Sequence, residues 1–145
     1  MANQMRLEPT KYPTDILQTL TPILTYCVLP VVNKALKALD KDALVAFDHI
    51  LTQKLYDIDK ADVHRFIGGS NDGFLYARAF VVGMGKSFYE MMYHKEYRHI
   101  KKEMSRLLVH CEQLLYLATT CYEKRFGEKL PDSNISYEMG ANTQE

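Results

Sequence analysis

Apolar residues along this chain recur at helical spacing. The longest example runs from Phe74 to Phe126 without a proline, and its only glycines are Gly83 and Gly85. Phe74, Ala77, Val81, Met84, Phe88 and Met91 follow one another at intervals of three and four. So do Met104, Leu107, Cys111, Leu114, Ala118 and Cys121. Alternating steps of three and four mark one face of an α-helix, whereas a half-buried strand alternates every second residue. One unbroken helix over this stretch would be roughly 80 Å long, against roughly 30 Å for a compact domain of this size. The apolar phase also slips between Met91 and Met104. A turn or sharp kink is therefore expected near Tyr93 to Arg98.

The rest of the chain is punctuated by caps and breakers. Residues 1–13 read as an extended arm closed by Tyr12-Pro13, because a residue before proline resists the α region. Thr14 suits an N-cap, with the Asp15 carboxylate at the positive helix end. One long helix interrupted at Pro22 and Pro30 is expected from about Thr14 to Leu39. Its apolar positions wrap widely, which places it near the centre of the fold. Asp40-Lys41-Asp42 ends it and caps the next helix, where Leu44, Phe47, Leu51, Leu55 and Ile58 form one face. Asp59 is expected to cap a short helix bearing Val63, Phe66 and Ile67. Gly68 to Gly73 must be a loop, with Ser70 or Asp72 capping the helix after it. Gly127, preceded by Lys124 and Arg125, is a suitable stop for the last helix. Beyond Pro131 helical periodicity is lost, and residues 131–145 are expected to form a mobile tail. The predicted fold is thus an all-α bundle of about five helices over residues 14–130, with the two arms of Phe74–Phe126 as its backbone.

Composition narrows the function classes without choosing among them. The chain has 145 residues, 47% hydrophobic and 25% charged, which suits one ordinary soluble domain. Eighteen basic residues balance eighteen acidic ones, so any nucleic-acid partner would need a local patch. The start of the chain lacks a signal-peptide pattern. Ile16 to Asn33 carries no charge, but its threonines, prolines and Asn33 suit a buried kinked helix better than a membrane span. Cys27, Cys111 and Cys121 form no close pair, so they read as small buried hydrophobes in a reducing cytoplasm.

Four constellations bear on chemistry. Gly83-Met84-Gly85-Lys86-Ser87 looks like the end of a phosphate-binding loop. However, Phe80 stands where that loop needs a glycine, and the preceding residues have helical rather than strand period. The two glycines are instead expected to let another helix approach closely. Glu90, His94, Glu96, His99, Glu103 and His110 include one Glu-x-x-His pair, Glu96 and His99, where a di-iron bundle needs two. No metal or cofactor is assigned on that basis. A helical-bundle enzyme or ligand sensor would use His94, His99 and Glu103. His110 and Cys111 are adjacent, about 100° apart on a helix, and do not make a thiolate–imidazole pair.

The fourth constellation is a basic aromatic segment. Tyr89, Tyr93 and Tyr97 form a stripe at intervals of four, surrounded by Lys95, Arg98, Lys101, Lys102 and Arg106. Those five cations would serve a nucleic-acid-binding regulator. Interleaved Glu90, Glu96 and Glu103 reduce the local balance to +2 and supply ordinary helix ion pairs. Tyrosine and methionine beside arginine is the composition of protein interfaces. The leading expectation is a small cytoplasmic adaptor or regulator that binds another protein and pairs with itself. Its contact surface would be centred on Tyr89, Tyr93, Tyr97 and Arg98, with no membrane partner.

Overall fold

The computed structural model describes residues 29–96 and 111–142. Over these residues the fold is all-α. The helices are α1 (Leu29–Lys37), α2 (Lys41–Asp57), α3 (Ala61–Ile67), α4 (Asn71–Gly83), α5 (Lys86–Tyr93) and α6 (Glu112–Phe126), with no strand among the described residues. The expected arm at 1–13, the first half of the Thr14–Leu39 helix and the stretch 97–110 lie outside the described residues. No helix among the described residues is long and apolar enough to cross a membrane.

Local chemistry explains most of the boundaries. Pro30 lies within α1, whose described part begins at Leu29. The Asp40 carboxylate accepts the Ala43 amide at 2.8 Å and caps α2. The Ser70 hydroxyl accepts the Gly73 amide at 3.1 Å and caps α4. Gly127 stops α6 in the left-handed conformation at φ 70°, its amide donating to the Glu123 carbonyl. Arg125, expected to serve the end of its own helix, reaches across the bundle. It donates to the carbonyls of Leu39 at 2.6 Å and Leu36 at 3.4 Å, which closes the end of α1.

α4 is the hub. Phe74, Leu75, Ala77, Arg78, Ala79, Phe80 and Val81 are all buried, so the helix is enclosed on nearly every side. It packs against α2, α3, α5 and α6, while α6 also packs on α1 and α2. The main core joins Leu51, Leu55, Ile58, Phe74, Phe80, Phe88, Met91, Met92, Cys111 and Leu114. A smaller core joins Leu36, Leu44, Ala118, Cys121 and Tyr122, and Phe47 and Leu117 pack against both. Cys111 and Cys121 therefore sit in different cores as separate thiols. Burial raises the Cys111 thiol above its ordinary pKa.

Three expectations are corrected. First, Gly83 to Gly85 is a helix break. Gly85 adopts φ +103°, a conformation that L side chains rarely take, and nothing lies within 4 Å of where its Cβ would be. Its requirement is conformational, and close approach of another helix is not the reason for it. Second, Asp59 does not cap α3. The N-cap is Lys60, with no side-chain cap bond. Third, the expected tail after Pro131 lies against the bundle as far as residue 142. Side chains at 133, 135, 137 and 139 are half-buried and those between are exposed. The segment is an irregular strap, with a left-handed Asn134 at φ 67° and a turn over residues 139–142, and Tyr137 and Met139 pack on the main core.

Candidate interaction groove

A groove of about 740 Å³ opens where α1, α2, α5 and α6 meet the end of α4. Leu29 and Val32 of α1, Phe47, Ile50 and Leu51 of α2, Val82 of α4 and Leu114 of α6 give it apolar walls. Its lining carries charges of both signs, Lys54 and Lys86 against Asp57 and Glu90, together with the His94 imidazole. The groove exists because the chain turns at Gly85. The break ends α4 and starts α5 on a new axis, so Tyr89 and Tyr93 come to face α2.

The tyrosine stripe is split by this geometry. Tyr89, expected at an interface, is 8% exposed and belongs to the core. Its hydroxyl donates to the Lys54 carbonyl at 2.7 Å, and the Lys54 ammonium lies 5.1 Å from its ring centroid. Burial and the nearby Asp57 carboxylate push its phenol well above the ordinary tyrosine range. An apolar body with one satisfied hydroxyl explains why a tyrosine on this stripe is buried. Tyr93 stacks on Tyr89 with centroids 6.2 Å apart, yet it remains 50% exposed. Four large hydrophobics are exposed among the described residues, Val31, Ile50, Tyr93 and Tyr116, and two of them, Ile50 and Tyr93, line the groove. Tyr97 and Arg98 lie outside the described residues.

The other candidates are placed only in part. Of the five cations, Arg98, Lys101, Lys102 and Arg106 lie outside the described residues. Lys95 is held by Asp62 at 2.8 Å and takes a left-handed φ of 59° just past the end of α5. That pair holds the Asp62 carboxyl below its ordinary value, chiefly through the hydrogen bond from Lys95. His94 lines the groove, edge-on to the Tyr93 ring with centroids 5.1 Å apart. His99 and Glu103 lie outside the described residues, and no group of three metal-ligating side chains occurs among the described ones. The Gly83–Ser87 run is preceded by a helix, so it lacks the strand that a phosphate-binding loop follows.

Sequence reasoning missed the α2 side of the groove. Ile50 is the signal that could have found it. It falls outside the Leu44, Phe47, Leu51, Leu55, Ile58 face and is a large apolar residue with no place in the core.

No curated protein and no solved structure matches the chain significantly. Residues 26–124, which span α1 to α5 and all but the end of α6, match the family model described as protein of unknown function (DUF4240), and the chain belongs to that family.

Proposed function

We propose that the chain acts by protein–protein interaction, as a small cytosolic adaptor or regulator, and that the groove face pairs with a second copy of itself. The observation that carries this reading is Ile50 and Tyr93, two large apolar side chains left exposed at 59% and 50% on the walls of one apolar groove. Exposed apolar groups gathered at one concave site favour covering by another surface. The charged lining supports a second copy as the cover. Lys54 and Lys86 stand beside Asp57 and Glu90, and a two-fold axis brings each such set against its own complement. Two cysteines kept as separate buried thiols suit a reducing compartment.

The test uses the full chain with a photo-crosslinking benzoyl-phenylalanine at Ile50, read by mass spectrometry, beside light scattering of the unlabelled protein. Crosslinks to groove residues in a dimer-sized product support the reading, as does a shift to monomer in Ile50→Glu. A chain that stays monomeric at high concentration overturns it. So does a crosslink from position 50 to residues 1–28 of the same chain, or an apolar small molecule recovered from the groove.

A further inference from the structure

The strap after Pro131 is held in an unusual way. None of residues 131–142 is fully buried, yet two of the bundle residues that hold it, Asp59 and Arg78, have no exposed surface, while His49 meets the Pro131 carbonyl at 2.8 Å and Lys60 the Asn142 carbonyl at 3.4 Å. The Asp59 carboxylate accepts the Gly140 amide at 3.2 and 3.1 Å and the Asn142 amide at 3.0 Å. The Arg78 guanidinium donates to the Tyr137 carbonyl at 2.9 Å and, on its other side, to the Leu55 carbonyl at 2.8 Å. The Asn142 side chain adds a bond to the Tyr56 carbonyl at 2.8 Å. The bundle thus grips the strap by its backbone. A carboxylate takes its amides and a guanidinium takes a carbonyl.

Such an attachment is cooperative. No strap side chain is fully buried, so release gives up only the partial packing of Ile135, Tyr137 and Met139, while each charge-assisted bond depends on the others remaining in register. The grip also leaves something unfinished, because among the described residues Arg78 Nε has no hydrogen-bond partner. The strap walls a cavity of about 830 Å³ whose other side includes Asp48, Thr52, Leu115 and Tyr116. The region shared with the family ends at residue 124, before the strap begins.

We infer that residues 131–142 are a detachable clasp, fastened on Asp59 and Arg78, which opens as one unit while the bundle stays folded. Opening bares the Arg78 guanidinium and removes one wall of the cavity behind the strap. A segment with low local stability, laid over buried charge, is where a protein can open without unfolding.

Amide hydrogen exchange on the full chain tests this. Gly140 and Asn142 should exchange together, slower than free peptide but faster than the α4 amides. Asp59→Asn should speed both by about tenfold or more, the loss of one charge-assisted bond, and leave α4 unchanged. Gly140→Pro removes the gripped amide and cannot keep the φ of 99° at that position, so exchange at Asn142 should speed by a similar factor, with α4 unchanged, even if Asp59→Asn fails to fold. The clasp is overturned if the two amides exchange at the free-peptide rate in the native chain. It is equally overturned if they exchange only with α4, or if Gly140→Pro leaves the rate at Asn142 unaltered.

Discussion

Arg78 is a fully buried cation. Burial pulls its pKa down to about 10, against the opposing field of Asp59. Its guanidinium lies 4.6 Å from the Phe74 ring centroid, so one face rests on π density while its edge nitrogens make hydrogen bonds. Arg78 and Asp59 offset one another's burial through their fields and hold the same strap, so removing one leaves the other less compensated. Arg78→Met is expected to destabilise the fold by about 3–5 kcal/mol in urea unfolding, and pairing it with Asp59→Asn should cost clearly less than the sum of the two single changes. Additive costs would show that the two charges are not coupled. Asp48 is the opposite case. Burial, aided by Asp132 and opposed by His49, raises its pKa. A carboxyl whose folded pKa is raised weakens the fold above that pKa, and the cost fades as pH falls through it toward the unfolded value. Asp48→Asn should therefore stabilise the protein at pH 7, by less than about 1 kcal/mol at this partly exposed site, and the gain should shrink on acidification. A gain that grows in acid would refute this assignment. Neither residue stands out in the sequence. A buried Arg inside an apolar helix face and an Asp between Phe47 and His49 are distinguished only by what the fold brings against them.

At the level of elements, the legible parts are those whose cause is local. Asp40 and Ser70 cap because a short polar side chain reaches amides three residues on, and Gly127 stops α6 because φ 70° suits glycine. The apolar faces of α2 and α6 are legible for the same reason: Leu44, Leu51 and Leu55, and likewise Leu114, Ala118 and Cys121, are buried as their spacing implies. What failed depended on distant partners or on a competing use of the same residue type. Asp59 has the chemistry of a cap, but amides 81 and 83 residues away claim it. The strap has no helical period to announce it, because it is held through its backbone by Asp59 and Arg78 and packs only Tyr137 and Met139 on the main core. Gly85 was noticed, but its role is conformational. Gly85→Ala should cost about 1–2 kcal/mol in thermal or chemical unfolding, despite the open space around it, because its φ of +103° is strained for any L side chain. A neutral Gly85→Ala would mean that α4 and α5 can rejoin as one helix.

For the whole molecule, only part of the functional reading could be anticipated. Tyr93 is half exposed on the groove wall and Tyr89 is consumed by the core, while Ile50, which the tyrosine stripe does not include, is exposed on the same groove. Stripe periodicity names the residues on one side of a helix, but it cannot say which of them a neighbouring helix will cover. That depends on the Gly85 turn, which brings α5 against α2. The pairing of α1 with α6 has a different kind of consequence. Leu36 is closed over by Ala118, Cys121 and Tyr122, and the final carbonyls of α1 are met by Arg125. A chain made from its N-terminus therefore releases α1 well before its partner exists. At translation rates of about 5–20 residues per second, the apolar side of α1 waits several seconds for α6. During that interval Leu36 lacks its α6 partners, and the bundle closes at its first described helix only after α6 has been synthesised.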